Sequence, residues 1–305
     1  MSNRDWLLLF CLALVFGAAF FFIEVALVDL GVLLTVWARV TVGGLVLAAW
    51  VVRRGERFPT GWKIWGALAL MGFFNNALAF SLITTAQVHL TGGLTSIFIT
   101  TAPISSLILA HIFTTDEKIT IPKLVGILIG ASGVAILIGP RALASLDITS
   151  IAQLSALGGA FCYAIAGIIG KKLGHLSSGV AGACSLLCAS LWLLPLVLVY
   201  DSPFAATWTP SAIGAIAGIG LISTATAYLL YFTLLRSAGA TKMLLVTLLA
   251  PVSAIGLGAL LLGEVVTLQM LGGMGVIFLG LAVIDGRLVA KLRDQSKTAT
   301  GHRKH

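Results

Sequence analysis

Few residues in this chain could do covalent chemistry. The sequence contains no HExxH zinc helix, no Walker-type phosphate loop and no GxGxxG turn. One string, Gly130-Ala131-Ser132-Gly133, has the G-x-S-G form found around membrane-embedded serine nucleophiles. A serine nucleophile needs a general base within hydrogen-bond reach. His89 and His111 sit near opposite ends of one apolar run and His175 falls in a short connection, so none is placed to serve. Cys184 and Cys188 are one helical turn apart, but two thiols without a neighbouring His or acid make a poor metal site. With Cys11 and Cys162 they read as small apolar packing residues. The expectation is a protein that is not an enzyme and holds no metal and no cofactor.

Uncharged polar and aromatic residues inside long apolar runs are better candidates for contact with a ligand. Asn75 and Asn76 interrupt the string FFNNALAF, and an amide in an apolar medium needs a partner. Thr95, Phe98, Thr100 and Thr101 lead into Pro103, and Phe98 and Thr101, three apart, share a helical face. Tyr163, Thr224, Thr226, Tyr228 and Tyr231 recur further on, and Thr247 precedes Pro251 by four residues. From this set Asn75, Asn76, Phe98, Thr101, Tyr163, Tyr228 and Thr247 are the expected binding residues. Pro103 and Pro251 each remove a helix hydrogen bond and are expected to act as conformational pivots.

These residues need elements to hold them. The chain of 305 residues is 59% hydrophobic and only 10% charged, with a mean hydropathy of +1.07. A soluble domain is ~25% charged, so most of this surface must face lipid. A membrane-spanning helix needs ~20 apolar residues. Ten such segments can be read, at roughly 6–26, 33–52, 62–83, 90–113, 120–138, 151–170, 179–199, 209–235, 240–262 and 268–286. The first is longer than the apolar core of a signal peptide and reads as a retained helix. The fold class is therefore all-α integral membrane. Trp6, Trp62, Trp65 and Trp208 fall near segment ends, where interfacial anchors sit.

The net charge of +8 matters through its placement. With ten crossings and a cytoplasmic N-terminus, Arg141 alone of the 19 Lys and Arg residues lies outside, and Arg39 lies within the second segment. Positive charge marks cytoplasmic loops, so both termini are expected in the cytoplasm, with residues 291–305 a basic tail that could touch anionic lipid. Glu24 and Arg39 lie towards the outer ends of the first two segments. Charges in membrane segments usually pair or face a water-filled cavity. The two are expected to pair, as a structural lock or as a gate. No Asp, Glu, Lys or Arg lies at mid-depth, which favours a facilitator or exchanger over a proton relay.

The chain also repeats itself. Glu117, Gly126 and Gly133 recur as Glu264, Gly273 and Gly280, each 147 positions later, and Pro103 recurs as Pro251. Phe80, Leu82 and Ala86 recur as Phe232, Leu234 and Ala238. The second copy has Leu279 where the first has Ser132, so the glycines belong to a packing rhythm rather than to a nucleophile. Glu117 and Glu264 are expected to cap turns at opposite membrane faces. The halves, 1–140 and 141–290, hold five segments each. An odd number forces the second half to enter the membrane inverted, as in many secondary transporters.

A mid-segment Ala-Pro, a segment-end Glu and a Gly-rich closing segment, present twice in ten, resemble the EamA-type branch of the drug/metabolite transporter superfamily. Within it the chain looks most like the YddG-type exporters of aromatic amino acids. The resemblance covers essentially the whole chain. It implies export of small metabolites, often amino acids, by alternating access in a bacterial inner membrane. It also implies an Arg in the second segment, which favours a structural Arg39. A cavity between the halves, lined by segments 1, 3, 4, 6, 8 and 9, is the expected site. Amides, hydroxyls and rings suit a zwitterion better than a phosphate, whose carriers need buried Lys or Arg; Arg39 is the only Arg within a segment and lies off-centre. The other reading is a multidrug efflux protein of the same fold. Expected partners are a small-molecule substrate and the bilayer, with no nucleic acid and a monomer sufficing.

Overall fold

The computed structural model describes residues 2–90, 92–114, 119–139, 151–204, 206–262 and 266–285, and all regular elements among them are helices. They are α1 (Asn3–Leu27), α2 (Val32–Arg53), α3 (Trp62–His89), α4 (Gly92–Ile99), α5 (Ala102–Phe113) and α6 (Ile121–Ile138). There follow α7 (Ile151–Lys172), α8 (Ser178–Tyr200), α9 (Pro210–Ala238), α10 (Ala240–Met243), α11 (Val246–Leu262) and α12 (Leu268–Asp285). Among the described residues six helices, α1, α2, α3, α7, α8 and α9, are long and apolar enough to cross a membrane. Shorter apolar helices make up the rest.

Polar residues fix the ends of the long helices. Ser2 and Asp5 form a capping box at the start of α1, satisfying backbone donors that the first turn leaves free. Asp201, just beyond α8, accepts from the Leu34 N–H at 2.8 Å and so caps α2. Thr209 caps α9 through the Ala212 N–H and donates to Asp29, beyond the end of α1, at 2.6 Å. At the opposite end Ser237 donates to Asp5 at 2.6 Å, Arg236 to Ser178 at 2.7 Å, and Ser177 to Glu56. The start of α1 therefore shares an end with the close of α9, and the close of α2 shares it with the start of α8. Each of these pairs runs antiparallel.

Among the described residues two departures from regular α-helix occur, each in both halves. First, α3 is π-helical over Gly72–Leu78 and α9 over Gly218–Thr226. Such stretches are rare and frequently occur at functional sites. Each packs on a helix of the other half. A Cβ added at Gly43 of α2 would lie 3.2 Å from the Gly220 carbonyl oxygen, and one at Gly72 would meet the Ser185 carbonyl of α8. Second, the fourth and ninth apolar segments are broken. The fourth divides at Thr100–Thr101 into α4 and α5, with Pro103 in the first turn of α5, where a missing N–H does no harm. The ninth divides at Leu244–Leu245 into α10 and α11. Pro251 lies inside α11, beyond that break rather than at it. Gly239, at φ +87°, makes the turn from α9 to α10 in a backbone region that suits glycine.

The repeat glycines meet one another. A Cβ on Gly126 would lie 2.7 Å from the Gly280 carbonyl oxygen, and one on Gly133 would lie 2.9 Å from that of Gly273. Contacts of α6 with α12 thus run from 126 against 280 to 133 against 273, an antiparallel pairing. Between lipid-bathed helices association rests on close van der Waals contact, which small residues permit. Glu117 and Glu264, expected to cap turns, lie outside the described residues, as do Arg141 and the basic tail 291–305.

Candidate functional site

The π-helical stretches bring polar residues of both halves together in the middle of the bundle. Asn75 and Asn76, on the π turn of α3, are 3% and 0% exposed. Both bond to the Tyr228 hydroxyl, just beyond the π turn of α9, and the Asn75 amide donates to Asn76 at 3.0 Å. Two consecutive asparagines thus share one tyrosine hydroxyl.

Arg39 of α2 joins them. Its Nε donates to the Thr224 hydroxyl on the π turn of α9 at 2.9 Å. Its guanidinium carbon lies 3.7 Å from the centre of the Phe80 ring, within cation–π range. Phe80 in turn meets Tyr163 of α7 edge-on, with ring centres 6.3 Å apart. The expected Glu24–Arg39 ion pair is absent. Glu24 is exposed, and its carboxylate accepts from the Gly92 N–H at 3.4 Å instead. Arg39 is buried against α9 and α3, where Thr224 and Phe80 take up its guanidinium group. Arg39 thus stands at the central site.

Two cavities share Arg39, Tyr163 and Phe16 in their walls. The first, about 490 Å³ with its open mouth included, is mostly apolar. Phe20 and Ile23 of α1, Ile83 of α3 and Ile99 of α4 line it, with Ser96 and Thr247 as further polar groups. The second, about 380 Å³ with its open mouth included, adds Asn75, Phe80, Ser223, Tyr228 and Tyr231. The walls of both come from segments 1, 3, 4, 6, 8 and 9, and from segment 2 through Arg39.

Of the expected binding residues, Asn75, Tyr163, Tyr228 and Thr247 line these cavities and Asn76 backs them. Phe98 and Thr101 line neither. They share a helical face, but the Thr101 hydroxyl donates to the Phe98 carbonyl at 2.6 Å, across the α4–α5 break. Thr247 does the same at the other break, donating to the Leu244 carbonyl at 2.8 Å. Arg39, Ser223, Phe16 and Phe20 are cavity residues that spacing alone does not single out. A lone arginine in an apolar segment was the available signal for the first.

The model of the EamA-like transporter family matches the chain twice, over residues 5–139 and 150–285. Among curated proteins the chain is 28% identical to the uncharacterized transporter YvbV of Bacillus subtilis, over 95% of this chain and 94% of that one. It is 23% identical to the uncharacterized inner membrane transporter YedA of Escherichia coli K12, over 90% and 89%. It is 25% identical to a probable terminal-alkyne amino-acid exporter of Streptantibioticus cattleyicolor, over 97% and 98%. A solved crystal structure superposes with a TM-score of 0.75 at 16% identity, covering 95% of this chain and all of that one.

Proposed function

The chain belongs to the EamA-like transporter family, and from that premise we propose that it exports amino acids from a bacterial cell by alternating access through the cavities at Arg39, Tyr163 and Tyr228. Membership makes it a multi-pass membrane transporter of a small molecule. The observation that carries the finer reading is the contact of Asn75 and Asn76, from the first half, with Tyr228 of the second. A site shared by both halves is accessible from one side or the other as the halves rock.

Ten spans complete the architecture: six long helices, α6 and α12, and the broken pairs α4–α5 and α10–α11. The double family match and the recurrence of π turns and helix breaks support two repeats. The antiparallel contact of α6 with α12 supports their inversion, since equivalent helices pack there in opposite directions. Basic residues at the Arg236 end of the bundle support a cytoplasmic N-terminus. The breaks at Thr100–Thr101 and Leu244–Leu245, next to Pro103 and before Pro251, serve as pivots.

An amino acid fits the walls. Phe16, Phe20, Phe80 and Tyr163 offer ring surface for its side chain, as an exporter of aromatic amino acids requires, and amides and hydroxyls bind its polar end. A relative named as a probable amino-acid exporter points the same way. Carriers of cationic drugs usually keep a carboxylate in the membrane, and among the described residues neither cavity wall contains one. The test is efflux from cells fed dipeptides. Cells producing the protein should release the freed amino acid faster than cells producing a Tyr163→Ala variant. Equal release would sink the reading.

A further inference from the structure

We propose that the substrate must carry a carboxylate and that Arg39 is the group that binds it; this rests on the transport reading above and names the chemistry its site selects. Arg39 is only 6% exposed. A guanidinium has five N–H donors, and among the described residues the sole hydrogen bond of Arg39 is the one from Nε to Thr224. No carboxylate among them pairs with it, since Glu24 bonds to Gly92. A buried charge without a counter-charge is unfavourable. The face of Phe80 relieves that in part. The remaining donors belong to a side chain that forms the wall of both cavities. A planar fork of N–H groups matches a carboxylate in two parallel hydrogen bonds.

A second set of groups lies beside it without partners. The Asn75 Oδ1, the Ser223 hydroxyl and the Tyr231 hydroxyl are buried and make no hydrogen bond, and all three residues line the second cavity with Arg39. Each can accept from an ammonium, and the tyrosine rings beside them tolerate a cation. Buried polar atoms are normally paired, so three orphans beside an unpaired cation describe the complement of a zwitterion. With the carboxylate at Arg39 and the ammonium in the Asn75–Ser223–Tyr231 corner, the side chain enters the apolar first cavity against Phe16, Phe20 and Ile83. The site then rejects amines and esters that fit the same apolar wall, because each leaves the guanidinium unpaired.

The experiment is radiolabelled phenylalanine exchange in proteoliposomes, with phenylalanine, phenylalaninamide and phenethylamine as unlabelled competitors. Hydrogen bonds to charged groups imply that removing the carboxylate weakens competition by about tenfold or more. The comparison uses the unaltered protein, so no variant has to fold for it. In parallel, Arg39→Lys should retain part of the exchange and Arg39→Gln should lose it, with both checked for monodispersity. Amide and amine competing as well as the acid would overturn the carboxylate anchor while leaving the transport reading intact. No exchange of phenylalanine or of any other amino acid would overturn that reading, and the anchor with it.

Discussion

Gly126 and Gly280 face each other where α6 crosses α12, so closely that a Cβ on either would lie under 3 Å from the other's carbonyl oxygen. Gly133 and Gly273 repeat the contact further along. Gly126 corresponds to Gly273 in the sequence repeat, and Gly133 to Gly280. The repeat therefore maps the pair Gly126–Gly280 onto the pair Gly273–Gly133, so each contact is the equivalent of the other, as a two-fold relation between halves requires. Gly126→Ala or Gly280→Ala should destabilise the protein by about 1–3 kcal/mol through overpacking. Gly275→Ala on the same helix α12, where nothing lies within 4 Å of the added carbon, should leave the melting temperature in detergent near that of the parent. Equal effects at the two kinds of position would contradict this packing.

The Asn75–Asn76–Tyr228 cluster joins the halves through one hydroxyl. Tyr228→Phe keeps the ring and removes one hydrogen bond from each amide, leaving only the bond between Asn75 and Asn76, so it should lower stability by about 1–3 kcal/mol. It should also weaken substrate binding. Thermal melting with and without substrate reads both effects, and an unchanged melting curve would remove the cluster's structural role.

Thr101 and Thr247 each tie a hydroxyl to a carbonyl across a helix break, but only Thr247 reaches a cavity. Thr101→Val should therefore change the maximal exchange rate with little change in half-saturating substrate concentration. Thr247→Val should change both. The lost hydrogen bond is worth about 1 kcal/mol, enough to shift a balanced equilibrium between conformations about fivefold. A Thr101 variant with altered affinity alone would show that the break is not a pivot.

Orientation can be read by labelling. Phe204 is 94% exposed beyond α8, at the end shared with Asp29 and Thr209, while Arg54 and His175 are exposed at the opposite end. With the native cysteines replaced, Phe204→Cys should react with a membrane-impermeant maleimide in intact cells. Arg54→Cys and His175→Cys should react only after permeabilisation. The reverse pattern would invert the topology.

Much of this arrangement is legible in the sequence, because lipid imposes a simple rule on it. Long apolar runs punctuated by basic loops mark the helices, and glycines at a fixed offset mark the α6–α12 contact. The helix breaks are less legible. Pro103 sits close to the first break, but Pro251 is absorbed into α11 and the chain parts at Leu244–Leu245, a place with no distinctive residue. The π turns carry no compositional mark either, since GFFNNAL and GIGLISTAT would serve in any apolar helix. Arg39 shows the limit most plainly. Proximity along the chain suggests Glu24 as its partner, whereas Thr224, 185 residues away, takes that place. Only the packing of α2 against α9 reveals that the arginine faces the cavities.

The most direct test of the central claim is exchange of a radiolabelled amino acid across proteoliposomes with no ion gradient imposed, comparing the unaltered protein with Tyr163→Ala, whose ring borders both cavities. Saturable exchange by the unaltered protein, weakened at least several-fold in an equally well folded variant, is the result this account predicts. Exchange that Tyr163→Ala leaves untouched, or no exchange of any amino acid by intact protein, would contradict it.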